Sequence, residues 1–393
     1  SNSNSNSNSN SNSNSSRASQ PNDLKLPPSQ KPTPDRKGSA SFSNSPVPAS
    51  TSSSSSSAAH SRTAASLFSH LPPPAPSTPA VRTLAPQRGS HPAIRKLCRS
   101  YALNLTTGAN TRTLSMLSAF GSVVSTFTPS PSSVPSHDLL SCLKENFTLL
   151  TASRPHSISM GNAFSSLKSH VTSLPPNTPW PSVQASAQAH IAEYVEKVRL
   201  ATAAVGRLGA EKVRPGSAVL TYGCSSAAVE VFRHAALVES KSFEVWVVDC
   251  GPFWPGRRCV SALSDLPGVR LHYVSYSGLS YAMQRVSLVL CGCSALLSNG
   301  HVLAAAGTQG VAMVARKKRI PVLALCETYK FSKKVQLDAF TWNELLPSSS
   351  SSPPDDVKGL GVRYDVTREV EGVVCEMGYV PGTSVAVILR EME

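Results

Sequence analysis

The chain has 393 residues, of which 40% are hydrophobic, and it carries a formal net charge of +14. This length favours two or three domains, and the absence of any run of 18 apolar residues argues against a membrane-spanning helix. Nine cysteines without a C-x-x-C pair favour a reducing compartment over a disulfide framework and predict that no metal is bound.

Residues 1–88 consist mainly of Ser, Asn, Pro, Ala and Thr, and they begin with a strict Ser-Asn alternation. Such a composition has too little apolar surface to offset the entropy lost on ordering. We therefore predict a disordered low-complexity tail over 1–88. Deleting it should leave the thermal unfolding of the remaining chain nearly unchanged.

Residues 89–213 have apolar positions at helical spacing, and we assign them to a helical domain. The pattern predicts helices over 113–127, 139–150, 159–171 and 185–213. An amphipathic stretch precedes them, and its apolar positions are Ile94, Leu97, Cys98, Tyr101 and Leu105.

Residues 214–393 have a different pattern of apolar residues. Nearly continuous apolar runs at 217–222, 243–250, 269–276, 288–291 and 320–326 alternate with helical stretches such as 227–238 and 308–318. Strands buried on both faces are typical of a parallel sheet, so the pattern predicts a Rossmann-like domain and an α/β fold overall. We expect a surface loop over 348–359 and a closing strand over 385–389.

The candidate pocket follows from the strand ends, where ligands of open parallel sheets bind. Backbone N–H groups there could cradle an anion, and Asp249 could hold a ribose hydroxyl, which together would suit a sugar phosphate or a nucleotide. The residues that we place at these ends are Gly223, Cys224, Ser225, Ser226, Asp249, Asn299 and Gly300. The alternative is structural, and it is the commoner one: Gly223 makes a turn, Ser225 caps a helix and Asp249 fixes a loop.

The positive charge fits either an acidic partner or a surface kept soluble by its charge. The folded part has no basic stripe with interleaved aromatic residues, so direct contact with nucleic acid is not expected. No G-x-x-x-x-G-K-[ST] motif is present, which argues against GTP binding through a P-loop.

One run, Cys326-Glu327-Thr328-Tyr329-Lys330-Phe331, is specific enough to suggest a family. Together with 222–226, 247–249, 295–300 and 343–345, it resembles the regulatory alpha, beta and delta subunits of translation initiation factor 2B, and their delta branch most. In the helical domain, Arg154-Pro155 and Asn162 resemble the family's Arg-Pro signature. The resemblance covers about residues 90–393.

This resemblance implies a regulatory, non-catalytic subunit, without a cofactor, of the guanine-nucleotide exchange complex that acts on translation initiation factor 2. It implies direct pairing with the beta subunit and assembly with the alpha, gamma and epsilon subunits in the cytosol. It also implies that the complex senses the phosphorylated alpha subunit of initiation factor 2 and that no membrane is involved.

The alternative function is that of a sugar-phosphate (aldose–ketose) isomerase, because the same fold family contains such enzymes. The family pattern places a catalytic Cys, a catalytic Asp and an Arg where this chain has Gly223, Ser294 and Gly251, and Cys224 lies one residue late. Glycine and serine cannot supply the acid or base that isomerisation needs, and glycine cannot grip a phosphate as arginine does. We therefore expect a vestigial pocket, lined also by Ser294, in a protein that is not an enzyme.

Overall fold

The computed structural model describes residues 70–71, 90–346 and 361–391. The predicted tail over 1–88 and the predicted loop over 348–359 therefore lie outside the described residues, apart from His70 and Leu71. Leu71 is buried, and His70 forms a hydrogen bond with the backbone of Phe340. These two residues therefore contact the folded body.

The helical domain is confirmed. Within the described residues it consists of α1 Pro92–Ala102, α2 Ala109–Thr126, α3 Pro135–Ser153, α4 Ile158–Ser173 and α5 Trp180–Ala210. On α4, Met160, Ala163 and Leu167 are buried on one face, and Phe164 stacks on Phe147 of α3 with ring centroids 4.2 Å apart.

Leu105 does not belong to the apolar stripe of α1. The helix ends at Ala102, and Asn104 follows in a left-handed conformation with φ +53°. The chain therefore turns before the next helical position, and Leu105 is left 71% exposed. The prediction was wrong here because a helical period was extended past the end of the helix.

The long helix α5 links the two domains. It begins at Trp180, earlier than predicted, because Pro181 is tolerated in the first turn, where its missing N–H has no helical partner. Its last turns pack on the sheet domain, where Val205 and Ala210 join the core. Gly209 permits this close approach, since a Cβ there would lie 2.4 Å from Val231 Cγ2.

Within the described residues, the main sheet has seven strands in the order β11-β10-β7-β4-β1-β2-β3, all parallel except for the β10–β11 pair. Successive residues of β2 alternate between two cores, with Val248 on one face and Val247 on the other. This burial on both faces confirms the predicted parallel sheet. The strands are β1 Ala218–Tyr222, β2 Phe243–Asp249, β3 Val269–Ser275, β4 Leu288–Gly292, β7 Val322–Leu325, β10 Gly372–Cys375 and β11 Gly378–Val380.

A second, four-stranded sheet in the order β8-β5-β6-β9 was not predicted. Its strands have only two to four residues, too few for a period to be recognised. They are β5 Ala295–Leu297, β6 Val302–Ala305, β8 Phe331–Ser332 and β9 Tyr364–Thr367. We call it the small sheet.

The remaining helices are α6 Ser226–Leu237, α7 Gly256–Leu263, α8 Leu279–Ala282, α9 Thr308–Lys317 and α10 Val385–Glu391. The last one corrects the strand predicted over 385–389. Val385 is buried, and Ile388 and Leu389 pack against the same core, whereas Val387 is exposed. Positions i, i+3 and i+4 thus share one face, which is the helical period and not the alternation of a strand.

Cys291 and Cys293 are buried in the sheet core, as expected of small apolar residues.

None of the helices in the described part of the chain is long and apolar enough to cross a membrane.

Candidate functional site

A cavity of about 700 Å³ lies at the carboxyl ends of β1 and β2, between the main sheet and the helical domain. The sheet side contributes residues from 222–224 and 250–258. The opposite side is formed by 104–112, Arg154 and 362–364. The cavity therefore occupies the place where an open parallel sheet binds its ligands.

Three of the predicted pocket residues, Gly223, Cys224 and Ser294, line this cavity. Gly223 ends β1 with φ +64°, and its N–H donates to the carbonyl of Val248 at 2.8 Å. This left-handed turn directs the chain from the strand toward α6, and it is the reason for a glycine at this position.

Ser226 and Asp249 have structural contacts instead, and Ser225 stands at a helix end. Ser225 precedes α6 as its N-cap residue without a side-chain capping bond, and Ser226 Oγ accepts a hydrogen bond from Asn110 Nδ2 at 3.2 Å. Asp249 is fully buried, and its carboxylate accepts from the N–H of Cys250 at 3.0 Å and from the Tyr273 hydroxyl at 2.8 Å. The contacts of Asp249 are those of a residue that fixes a loop.

Asn299 and Gly300 lie in the turn between β5 and β6 of the small sheet. Asn299 Nδ2 donates to the carbonyl of Gln336 at 3.1 Å, and Gly300 packs so closely on Gly382 that a Cβ would lie 2.3 Å from its carbonyl oxygen. The expectation that these residues end a strand of the main sheet is wrong, because the sequence at 295–300 enters the small sheet.

Two thiols, Cys224 and Cys250, line the cavity, and Cys224 has the lowered pKa that favours a nucleophile. A hydrogen bond from the thiol of Cys259 and the positive charge of Arg258 lower the pKa of Cys224 to about 7, although burial acts in the opposite direction. Within the described residues, no group of three or more His, Cys, Asp or Glu side chains could hold a metal ion.

Three arginines from distant parts of the sequence share one carboxylate at the cavity wall. Glu344 pairs with Arg154 at 2.9 Å, with Arg363 at 3.0 Å and with Arg112 at 3.5 Å. It also accepts from the Tyr364 hydroxyl at 3.2 Å. We call these three the rim arginines. Among the described residues, one acidic side chain for three guanidinium groups leaves the rim with a surplus of positive charge.

The pKa values of the rim arginines reflect this surplus. Burial and the neighbouring Arg154 lower the pKa of Arg363 to about 10 and also lower that of Arg112. Burial acts to lower the pKa of Arg154 as well, but Tyr364 and Glu344 outweigh it, and the net shift is upward. An anion in the cavity would therefore relieve an electrostatic cost that the folded protein already bears.

Arg258 adds a fourth guanidinium group from α7, where its Nη2 donates to Thr107 Oγ1 at 2.6 Å. Sequence reasoning identified Arg154 through the family signature but missed Arg112, Arg258 and Arg363. These three arginines lie in segments far apart in the sequence, so no spacing links them. The available signal was Arg112 at helical spacing from Met116 and Phe120 of α2, since arginine is almost never fully buried unless it is paired.

The run of 327–330 forms a joint between the domains and does not face the cavity. Glu327 is completely buried, lies 2.5 Å from Lys330 Nζ and accepts from Asn110 Nδ2 of α2 at 2.7 Å. Asn162 of α4 donates to the carbonyl of Tyr329 at 2.9 Å, and the backbone N–H of Thr328 donates to the carboxylate of Glu376 at 3.0 Å. The signature residues therefore hold the helical domain on the sheet domain.

Residues 105–382 match the initiation factor 2 subunit family. The chain belongs to this family. It is 33% identical over 77% of its length to the translation initiation factor eIF2B subunit delta of Dictyostelium discoideum, and equally so to that of Schizosaccharomyces pombe. These matches cover 51% and 69% of the two relatives, so the chain spans about half the length of the first.

A solved structure agrees with these relatives. A chain of the tetrameric eIF2B-beta2-delta2 complex from C. thermophilum superposes with a TM-score of 0.69 at 28% identity, covering 79% of this chain and 97% of that one. Archaeal enzymes are more distant: the ribose 1,5-bisphosphate isomerase of Methanocaldococcus jannaschii is 26% identical over 61% of this chain and 77% of the enzyme.

Proposed function

We propose that this chain is a delta-type regulatory subunit of the guanine-nucleotide exchange complex for translation initiation factor 2, and that it catalyses no reaction itself. The observation that carries the proposal is the 33% identity with two delta subunits over 77% of the chain. In this role it pairs with a beta subunit and assembles in the cytosol with alpha, gamma and epsilon subunits. The complex then senses the phosphorylated alpha subunit of initiation factor 2.

The cavity supports the non-catalytic part of the proposal. Gly223 and Ser294 line it where the related isomerases would need a thiol and a carboxylate, and Gly251 lines it where they would need an arginine. A serine hydroxyl has no useful acidity near neutral pH, so no residue at these positions can move the proton. Cys224 supplies a thiol but has no carboxylate partner at 294.

Co-expression with the beta subunit tests this proposal. We expect the two chains to co-purify as a complex of two copies each, and we expect the purified chain not to convert ribose 1,5-bisphosphate or methylthioribose 1-phosphate. A chain that stays monomeric in the presence of beta would contradict the subunit assignment. Turnover that is lost on Cys224→Ser would instead support the isomerase alternative.

We also infer that the cavity binds a sugar phosphate without converting it. The surplus positive charge of the rim arginines and Arg258 supports this inference, because guanidinium groups bind phosphate oxygens with two parallel hydrogen bonds. Gly223 and Cys224 line the cavity just before the N-terminus of α6, a second feature typical of phosphate sites.

Thermal shift with ribose 1,5-bisphosphate, and with inorganic phosphate for comparison, tests the ligand class. A ligand at 100 times its Kd stabilises the folded state by about 2.7 kcal/mol. The midpoint temperature of thermal unfolding should therefore rise. Arg258→Ala should abolish the shift. Arg257→Ala is the matched control, because Arg257 stands beside it on α7 but lies over the ring of Trp254. Equal shifts in both variants would contradict the inference.

A further inference from the structure

A second cavity, which we call the tail groove, lies between the helical domain and the small sheet. It has a volume of about 750 Å³. Thr151 and Ile158 line it at the end of α3 and the start of α4, and Leu297, Leu303 and Trp342 line it on the other side. The walls are mostly apolar and come from two domains, so a side chain placed here contacts both of them.

Leu71 is the apolar side chain in this groove. It lines the cavity and is only 6% exposed, although it belongs to a segment in which apolar residues are sparse. His70, beside it, lies with its Nε2 2.7 Å from the carbonyl oxygen of Phe340, 270 positions later in the chain. A carbonyl only accepts, so the imidazole donates through a protonated Nε2.

The carbonyl of Phe340, which accepts this hydrogen bond, is held in place by contacts within its own turn. Asp338 Oδ1 accepts from the N–H of Phe340 at 2.8 Å and from the N–H of Thr341 at 2.9 Å, which fixes a tight turn. Gln336 Nε2 spans the same turn by donating to the carbonyls of Asp338 and Trp342. The carbonyl of Phe340 is thus preorganised, which lowers the entropic cost of binding.

We propose that His70 and Leu71 are an anchor by which the N-terminal segment docks in the tail groove. The occupant is this chain's own segment: Leu71 packs against the wall of the groove, and His70 fixes its register through one directional hydrogen bond. The anchor contacts residues of the helical domain and of the small sheet that differ from the joint residues Glu327 and Lys330. It also gives the low-complexity segment a fixed point on the body.

Hydrogen exchange of the full chain tests the anchor without disturbing the folded body. Leu71→Asp places a charge in the groove and should release the segment. We expect the amides of 151–158 and 333–342 to exchange about tenfold faster, as the burial of one leucine implies for local opening. Leu84→Asp, the same change elsewhere in the tail, is the matched control and should leave the exchange unchanged. Equal exchange in the two variants would overturn the proposal.

A peptide added in trans shows whether the groove is already filled. A fluorescent peptide of residues 64–77 should bind the Leu71→Asp chain and bind the wild-type chain far more weakly, because the tethered segment competes at a high effective concentration. The same peptide with Leu71→Asp should bind neither chain. Equal binding of the unmodified peptide to both chains would show that the tail does not occupy the groove.

Discussion

Two groups of buried charges connect the helical domain to the rest of the molecule, and they are built differently. At the joint, Glu327 faces Lys330 as one acid and one base, both almost without exposure. At the rim, Glu344 faces three arginines. At the joint the positive and negative charges balance, and the pair serves as a structural contact. At the rim the positive charge exceeds the negative charge, and the arginines line a cavity that can admit an anion.

The pKa shifts agree with this difference. At the joint, burial disfavours both charges, but Lys330 outweighs it and lowers the pKa of Glu327, while Glu327 outweighs it and raises the pKa of Lys330. Both groups are therefore held in their charged forms. At the rim, no second carboxylate of the described residues pairs with Arg112 or Arg363, and the pKa of both is lowered.

The largest effect is expected at the joint. Glu327→Ala leaves Lys330 buried without a counter-charge and should lower the free energy of unfolding by about 3–5 kcal/mol. Urea unfolding followed by circular dichroism measures it. Arg199→Ala breaks the exposed pair with Glu196 and should change nothing measurable. If Glu327→Ala lowers the free energy of unfolding no more than Arg199→Ala does, the joint is not a stabilising contact and does not differ from the rim in this respect.

The next effect concerns the thiol beside the rim. With its pKa near 7, Cys224 should be alkylated by iodoacetamide at a rate that rises about tenfold per pH unit below 7 and levels off above it, because the thiolate is the nucleophile. Mass spectrometry of the labelled peptide separates it from the exposed Cys250. An anion in the cavity should slow the labelling by covering the thiol. A midpoint near 9 would show that Arg258 and Cys259 do not activate it.

Removing a charge at the rim should have the opposite sign to removing one at the joint. A guanidinium whose pKa is lowered on folding costs stability at every pH below that pKa, where it stays charged. Arg363→Met should therefore leave the free energy of unfolding unchanged or raise it by up to about 2 kcal/mol, while weakening the thermal shift with a sugar phosphate. Strong destabilisation would mean that the rim is structural, like the joint.

Sequence periodicity predicted the helical domain, the main-sheet strands β1, β2, β3, β4 and β7, and the position of the pocket at the ends of β1 and β2. It did not predict β10 and β11, which have four and three residues. It failed where elements are short or end abruptly: the small sheet has strands of two to four residues, and Leu105 follows a helix that had already ended. At 385–389 five consecutive apolar residues fit a strand as well as a helix. The cluster of rim arginines could not be predicted from the sequence, because Arg112, Arg154 and Arg363 become neighbours only through long-range packing.

The smallest effect concerns the tail groove, a third contact of the helical domain and an uncharged one. Burying Leu71 is worth about 1.5–3 kcal/mol, and ordering the segment cancels part of it. We expect deletion of residues 1–88 to lower the unfolding midpoint by about 2–4 °C, the shift that corresponds to roughly 1 kcal/mol in a domain of 150–250 residues. Sequence composition alone predicts no change.

Deletion of residues 1–60 is the matched control for this truncation, because it keeps His70 and Leu71 and removes most of the same composition. Scanning calorimetry should give the 1–60 deletion the same unfolding midpoint as the full chain. The midpoint of the 1–88 deletion should be lower than both. If the two deletions coincide with the full chain, the groove contact adds no stability. If the 1–60 deletion lowers the midpoint as much as the 1–88 deletion does, the stabilising contact lies before residue 61, and the tail binds the body elsewhere.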